Sequence, residues 1–340
     1  MTKKIRFGVV GTNFITDWVI AGAREDERFE LAAVCSRTQE RGAEFAAKHN
    51  IPYIFTSLED MVQSDVIDAV YIASPNYKHA EQSILAIRHG KHVLCEKPLA
   101  SNAREARQMV EASKQYGVTL MEAMKSTLSP NFLAAKHNLH RIGTPRRYFA
   151  SFCQYSSRYD KFKEGIVLNA FRPELSNGAM MDIGVYTLYP LIALFGRPQS
   201  INAQGVVLSS GVDGQGAVNM QYDGFNATVL YSKIANSQLP AEIEGEDGNI
   251  IIDRIQTPVD VRFYPRQAPA SGHEKRAEGE SLSAPETHNE YFYEVEEFIN
   301  LIEQGRLESD INSHDCSIAT MEVIDEVRRQ LGVHYPADEE

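Results

Sequence analysis

Between residues 5 and 122 the chain alternates short apolar runs with helical stretches, and this alternation constrains the fold more than any other feature. Runs at 5–10, 31–35, 53–55, 67–73, 92–95 and 118–122 read as strands bounded by turn or cap residues. Helical periodicity fills 14–23, then 39–49 closed by Asn50, a segment capped by Ser57, one ending near Gly90, and one capped by Ser101 and closed by Gly117. Strands joined through helices pair in parallel with right-handed crossovers, so a doubly wound parallel sheet is expected. Such a sheet binds its ligand at the carboxyl ends of its strands.

From about Lys125 the pattern changes. A helix over 131–141 gives way to alternating segments, "RRYFASFCQY", "SINAQGVVL", "AVNMQY" and "NATVLYSKI", separated by Gly-Asp or Asp-Gly turns, as an antiparallel sheet requires. A long apolar helix over 178–195 interrupts them. Residues 266–288 read as an exposed loop, and helices over 290–303 and 313–332 close the chain. The fold class is α/β, with a dinucleotide-binding domain over 1–123 and an α+β domain with a large, open, mostly antiparallel sheet over 124–340. The C-terminal helix is a candidate to pack back on the first domain.

At 340 residues and 43% apolar composition, the chain can bury two cores. Lys plus Arg number 34 against 46 Asp plus Glu, and the net charge of -12 opposes nucleic acid and anionic membrane surfaces as partners. The first residues hold no apolar stretch long enough for a signal peptide and no run of eighteen apolar residues occurs, so a cytoplasmic protein is expected. Cys35, Cys95, Cys153 and Cys316 are scattered, and His79, His89, His92, His137 and His140 form no ligand spacing, so no metal is expected.

The first chemical signal is "GVVGTNFIT", between strand one and helix one. In a dinucleotide fold this turn and the helix N-terminus hold pyrophosphate, which makes Gly11, Thr12, Asn13, Phe14 and Ile15 the candidate phosphate residues. The fingerprint is imperfect, with Asn13 at the second glycine position and Thr16 at the third, but Asn tolerates positive φ. After strand two come Ser36 and Arg37, a hydroxyl beside a guanidinium, where an NAD enzyme typically carries an acid. That pair suits a ribose 2'-phosphate, so NADP is preferred and NAD remains possible. The loop Ser74-Pro75-Asn76 and the stretch Glu96-Lys97-Pro98 end at the same sheet edge. The proline restricts Lys97 to extended geometry, which holds its ammonium toward the cofactor.

Three motifs together, G-x-x-G-T-N at 8–13, P-N-x-x-H at 75–79 and E-K-P at 96–98, resemble the Gfo/Idh/MocA family of glucose-fructose oxidoreductase and inositol dehydrogenase. The likeness covers nearly the whole chain. It implies a Rossmann domain, a catalytic Lys97 near the nicotinamide before a commonly cis proline, and a second domain whose open sheet serves substrate binding and dimer formation. "SNGAMMDIGVYTLYPLIALF" resembles the family's glycine-rich approach to a helix bearing Asp and, four residues on, His or Tyr. Here these are Asp182 and Tyr186, one helical turn apart and so on one face. A buried carboxylate needs a partner, and Lys97 is the expected one for Asp182. The tyrosine resembles the branch of dihydrodiol dehydrogenases and NADP-dependent xylose dehydrogenases.

These likenesses imply hydride exchange between a nicotinamide and a sugar, polyol or cyclic diol. Tyr186 would act as acid/base, Lys97 would polarise it, and Asp182 would orient the lysine, with Lys97 itself as the alternative proton donor. Ser74, Pro75, Asn76, His79, Glu96 and Lys97 join the cofactor candidates, His79 as a structural or ribose-adjacent residue. Lys125, Tyr155, Phe171 and Arg172 are substrate candidates. Ser176 and Asn177 replace most of the family's glycine run, and Thr127 stands where related enzymes often carry arginine. The competing class is a dinucleotide-binding regulator without turnover, which retention of Lys97, Asp182 and Tyr186 opposes. An uncovered apolar sheet face makes a homodimer or homotetramer the expected assembly.

Overall fold

In the computed structural model, which describes residues 4–266 and 278–339, the first apolar run is β1 (Ile5–Val10) and passes through Gly11 into α1 (Phe14–Ala23). The alternation continues as β2 (Phe29–Cys35), α2 (Gln39–His49), β3 (Tyr53–Phe55), α3 (Leu58–Gln63), β4 (Ala69–Ile72), α4 (His79–Arg88), β5 (His92–Glu96), α5 (Ala103–Tyr116) and β6 (Leu120–Ala123). The strands form one parallel sheet in the order β3-β2-β1-β4-β5-β6. Strand order reverses beside β1, which opens a crevice at the carboxyl ends of β1 and β4. Residues 69–72 of β4 are all buried, as a strand covered by helices on both faces must be.

Local signals set most helix ends. Thr38 caps α2, Asn50 closes it in the left-handed region, and Ser57 caps α3. The expected cap at Ser101 is displaced by one residue. Asn102 accepts from Glu105 N, and the Glu105 carboxylate returns to Ser101 N at 2.9 Å. Glu105 stands three residues after Asn102, the spacing at which such reciprocal caps close.

The second sheet draws on a longer list of elements. These are α6 (Lys125–Leu128), α7 (Pro130–His137), β7 (Pro145–Cys153), α8 (Ser157–Lys163), a π-helical turn (Met180–Gly184) continuous with α9 (Val185–Phe195), β8 (Ser200–Val207), β9 (Asp213–Gln221), β10 (Asn226–Ser232), β11 (Ala241–Gly245), β12 (Gly248–Ile252), β13 (Val261–Pro265) and β14 (Glu280–Ser281). Their order is β14-β13-β12-β11-β7-β10-β9-β8, antiparallel throughout except where β7 meets β10. One face carries buried Tyr148, Ala150, Val218, Val229, Tyr231, Ile243 and Ile250, and α9 packs on it. The Tyr148 hydroxyl donates to Thr187 O at 3.1 Å. Phe149, Leu230, Ile251 and Tyr264, on the other face, are half-exposed. By length and composition Pro173–Phe195 could cross a membrane, but most of it is buried as the core helix of its own unit.

Asp213 fixes the start of this helix. Its Oδ2 accepts Met180 N at 2.7 Å, and a Cβ at Gly178 (φ +152°) would lie 2.2 Å from its Oδ1. A side chain at 178 would therefore evict the carboxylate that satisfies the helix N-terminus. Tyr231 fits against Gly184, where a Cβ would approach its ring to 3.1 Å, so this glycine marks close packing.

The remaining helices, α10 (Phe292–Glu303) and α11 (His314–Leu331), depart from a contiguous division at 123/124. The first compact unit ends at Lys125 but takes in Thr287–Met321 and the residues from Ala337. The second comprises Ser126–Glu286 and Glu322–Pro336. Phe298 of α10 packs on Phe7 of β1 with ring centroids 5.9 Å apart, and Gly22 of α1 leaves room for the chain at Phe292. Of the loop expected over 266–288, residues 267–277 lie outside the described residues, and β14 falls within the rest.

Candidate active site

The turn after β1 is held from two sides. Asn13 Oδ1 accepts Ile15 N at 3.0 Å and Thr16 N at 3.4 Å, while its Nδ2 donates to Ala73 O at 2.9 Å, beyond the end of β4. Asn13 is therefore the helix cap, with extended backbone (φ -98°), and does not use the positive φ that the imperfect fingerprint had been expected to need. Gly11 is the residue with positive φ (+101°), and the Ala73 carbonyl, 2.6 Å from where a Cβ would stand, excludes a side chain there. Thr16 closes the turn by donating to Gly11 O at 3.0 Å.

Asn13 and Phe14 are exposed, and among the described residues their backbone N–H groups have no acceptor within the protein. Two amides at a helix N-terminus, beside a glycine turn at the sheet's switch point, suit a pyrophosphate. Ser36 is buried at the end of β2, Arg37 is exposed, and Thr38, not Ser36, caps α2. A cleft of about 230 Å³ lined by Thr12, Asp17, Arg41, Glu44, Phe45 and Lys48 adjoins this end, so Arg41 is a further cation that the sequence reading passed over. These residues fit a dinucleotide.

At the end of β5 the Lys97–Pro98 bond is cis and Lys97 is half-buried. Two neighbouring groups face inward, and His79 takes the structural one of its two expected roles. His79 is buried, with Nδ1 2.9 Å from Pro98 O and Nε2 2.9 Å from Ser74 O. A neutral ring donates to one of these two carbonyls at a time, and either bond ties the histidine between the Ser74 loop and the Lys97-Pro98 loop, a structural clamp. Burial is the main cause that lowers its pKa. Glu96 turns its carboxylate inward to take the Tyr71 hydroxyl at 2.6 Å, so its side chain does not face the nucleotide. Ser74 donates to Gln82 at 2.6 Å, Pro75 is exposed, and Asn76 begins a short 3-10 turn.

Behind Lys97 lies a set of buried acids. Glu122 accepts Leu99 N at 3.0 Å and is pushed up to about 7, chiefly by burial. Glu294 of α10 has neither oxygen hydrogen-bonded among the described residues and is held well above the carboxylate range, first by burial and then by Glu96. The unfolded chain releases the Glu122 proton near 4.5 and the folded one near 7, so between those values the folded state binds the extra proton and stability falls as pH rises. The loss is roughly 3 kcal/mol over that window and level above it. Glu122→Gln is expected to remove this fall, so that the drop in Tm from pH 5 to pH 8 shrinks by about 5 °C relative to the parent protein. Equal pH slopes in thermal melts would contradict the assignment.

In the second unit, residues 179–192 are buried with two exceptions, Asp182 and Tyr186. They lie four residues apart and share the open side of an otherwise enclosed helix. Asp182 sits in the π-helical turn, a distortion frequent at functional sites. Its side chain is 33% exposed, so it is less buried than an apolar helix had implied, and the ammonium set against it is Lys233. The Tyr186 ring meets Phe152 edge-on at 5.8 Å.

The four substrate candidates are placed as follows. Lys125 pairs with Glu290 and lies 5.1 Å from the Tyr291 ring centre, so its charge is already matched within the first unit. Phe171 is fully buried among Tyr159 and Phe162 and lines no open surface. Arg172 is exposed beside Glu174, and the Tyr155 hydroxyl donates to Asp160 at 2.7 Å. Among the described residues no cluster of His, Cys, Asp and Glu could hold a metal ion.

The profile described as "Oxidoreductase family, NAD-binding Rossmann fold" (Gfo/Idh/MocA) matches residues 5–124, and that of the Gfo/Idh/MocA C-terminal domain matches 134–251. The chain is 52% identical over 337 residues to the scyllo-inositol 2-dehydrogenase (NADP(+)) IolU of Bacillus subtilis (strain 168), covering 98% of this chain and 99% of that one. It is 30% identical over 354 residues to a trans-1,2-dihydrobenzene-1,2-diol dehydrogenase of Danio rerio, covering 98% and 99%. A levoglucosan dehydrogenase solved with NADH and levoglucosan shares the fold, with a TM-score of 0.84 at 20% identity over 97% of this chain and 98% of that one.

Proposed function

The chain belongs to the Gfo/Idh/MocA family of NAD(P)-dependent oxidoreductases, and from that premise we propose that it is an NADP-preferring dehydrogenase of a cyclic polyol of the inositol type. The observation that carries this reading is the pair Asp182 and Tyr186, left open on a helix that is otherwise buried. Likeness over nearly the full length to a relative named for scyllo-inositol and NADP(+) supports the substrate and cofactor classes.

When bound, the nicotinamide accepts or returns the hydride. In this proposal the amides at Asn13 and Phe14, with Gly11, Thr12 and Ile15, hold the pyrophosphate at the start of α1. Ser36 and Arg37, supported by Arg41, hold the 2'-phosphate, and the loop Ser74-Pro75-Asn76 borders the nicotinamide end. Tyr186 takes the carbinol proton during oxidation and returns it during reduction. A phenol of pKa about 10 is a poor base at neutral pH, and the ammonium of Lys97 supplies the charge that favours phenolate. Asp182 is the fixed hydrogen-bond acceptor of the site.

The half-exposed apolar side chains on the open sheet face, Phe149, Leu230, Ile251 and Tyr264, suit a homodimer built on that face, which light scattering of the purified protein would show. Four free cysteines, three of them buried, fit a reducing cytoplasm, which fractionation of the source cells would show.

The test is to mix the purified enzyme with NADP or NAD and a panel of inositols, aldoses and dihydrodiols and follow absorbance of the reduced nicotinamide. Turnover with NADP is expected to be fastest on a cyclic polyol. Tight cofactor binding without turnover on any member would defeat the proposal. In the same assay Arg37→Ala should raise KM for NADP by about tenfold or more and leave NAD within about twofold. Equal losses for both cofactors would remove Arg37 from the 2'-phosphate site.

A further inference from the structure

Lys233 is the one lysine among the described residues that is fully buried. It directly follows β10, and its backbone is fixed on both sides. Its N–H donates to Gly214 O at 2.9 Å, and its carbonyl accepts Ser156 N at 2.9 Å. The side chain is 4% exposed. Its ammonium donates to Asp182 Oδ2 and stands 5.9 Å from the centre of the Phe171 ring. A lysine at a strand end ordinarily carries its ammonium out to water on a flexible stem. Here it turns inward to a single carboxylate, its one hydrogen-bond acceptor among the described residues. A buried ammonium is tolerated only when it is paired, so Lys233 requires an ionised Asp182.

We propose that Lys233 is a positioning residue for the reaction, holding Asp182 ionised and fixing it through its Oδ2 oxygen. The inference rests on the assignment of Asp182 to the active site made above. It changes what that residue contributes. Asp182 enters the site with Oδ2 held by Lys233, and so serves as an acceptor whose direction is fixed from within its own unit. Phe171, which lines no open surface, acquires a role as the aromatic floor under the ammonium.

The test compares Lys233→Met, Lys233→Arg, Asp182→Asn and the double variant Lys233→Met/Asp182→Asn. Lys233→Met should lower kcat about 30-fold with the Kd for NADP within about twofold of the parent, and Lys233→Arg, which keeps the charge, should recover to within about fivefold. The double variant removes both charges and so keeps a fold even if Lys233→Met alone does not. It should show the kcat of Asp182→Asn with no further loss, because residues acting as one unit are not additive. A further tenfold loss in the double variant, or equal impairment of Lys233→Met and Lys233→Arg, would overturn the proposal. Parental kcat in Lys233→Met beside a crippled Asp182→Asn would overturn this inference alone, whereas parental kcat in Asp182→Asn would overturn the site assignment with it.

Discussion

Lys97→Met is expected to lower kcat by about 10³-fold or more while leaving the affinity for NADP within a few-fold. The backbone that carries this lysine is set by groups other than its own side chain. His79 bridges Ser74 O and Pro98 O, and Glu122 holds Leu99 N. Methionine retains most of the apolar stem and removes only the charge, so the loop should keep its shape and Tm should move little. What the proposed mechanism would lose is the positive charge assigned to stabilising phenolate at Tyr186 and the developing oxyanion of the substrate. That charge matters more in the transition state than in the ground state, so the loss should appear in kcat and not in KM. Steady-state kinetics at saturating cofactor, with NADP binding followed by nicotinamide fluorescence, will measure both. A kcat within tenfold of the parent enzyme would mean that Lys97 only shapes the loop.

Much of this arrangement was legible in the sequence because its signals are local. The glycine after β1, the caps at Thr38 and Ser57, and the i, i+4 spacing of Asp182 and Tyr186 each depend on a few neighbouring residues. What the sequence left unread has a different cause. Lys233 meets Asp182 across 51 residues, and at the end of a strand it has the pattern of any lysine returning to water. Asp213 and Gly178 constrain each other across 35 positions of chain by occupying one volume, which leaves no periodic trace. His79 and Glu96 lie within motifs, and a motif identifies a loop without saying which of its side chains turns inward. Phe171, one of the substrate candidates, is buried in the core. Ser101 and Asn102 are adjacent cap residues, and only the position of Glu105 decides between them. The return of α10 to the first sheet through Phe298 and Phe7 is tertiary packing, to which a helical pattern is blind.

Tyr186→Phe should cost about 10² to 10⁴ in kcat, the range attributed to a positioned acid or base. The substitution removes one hydroxyl. The ring can keep its edge-on contact with Phe152 at 5.8 Å, so neither the helix nor the neighbouring Asp182–Lys233 pair is disturbed. KM for the polyol should therefore change far less than kcat. The pH profile separates this from a loss of packing. In the oxidation direction the parent kcat should rise with pH as the phenol loses its proton, with an apparent pKa below the ordinary value of about 10 if Lys97 favours the anion as proposed. Tyr186→Phe should lack that limb, since phenylalanine has nothing to titrate. In Lys97→Met the limb should persist but move to higher pH, because the base survives without the charge that lowered it. If the limb survives unchanged in Tyr186→Phe and vanishes in Lys97→Met, the lysine itself exchanges the proton, and the roles of the two residues are the reverse of those given above.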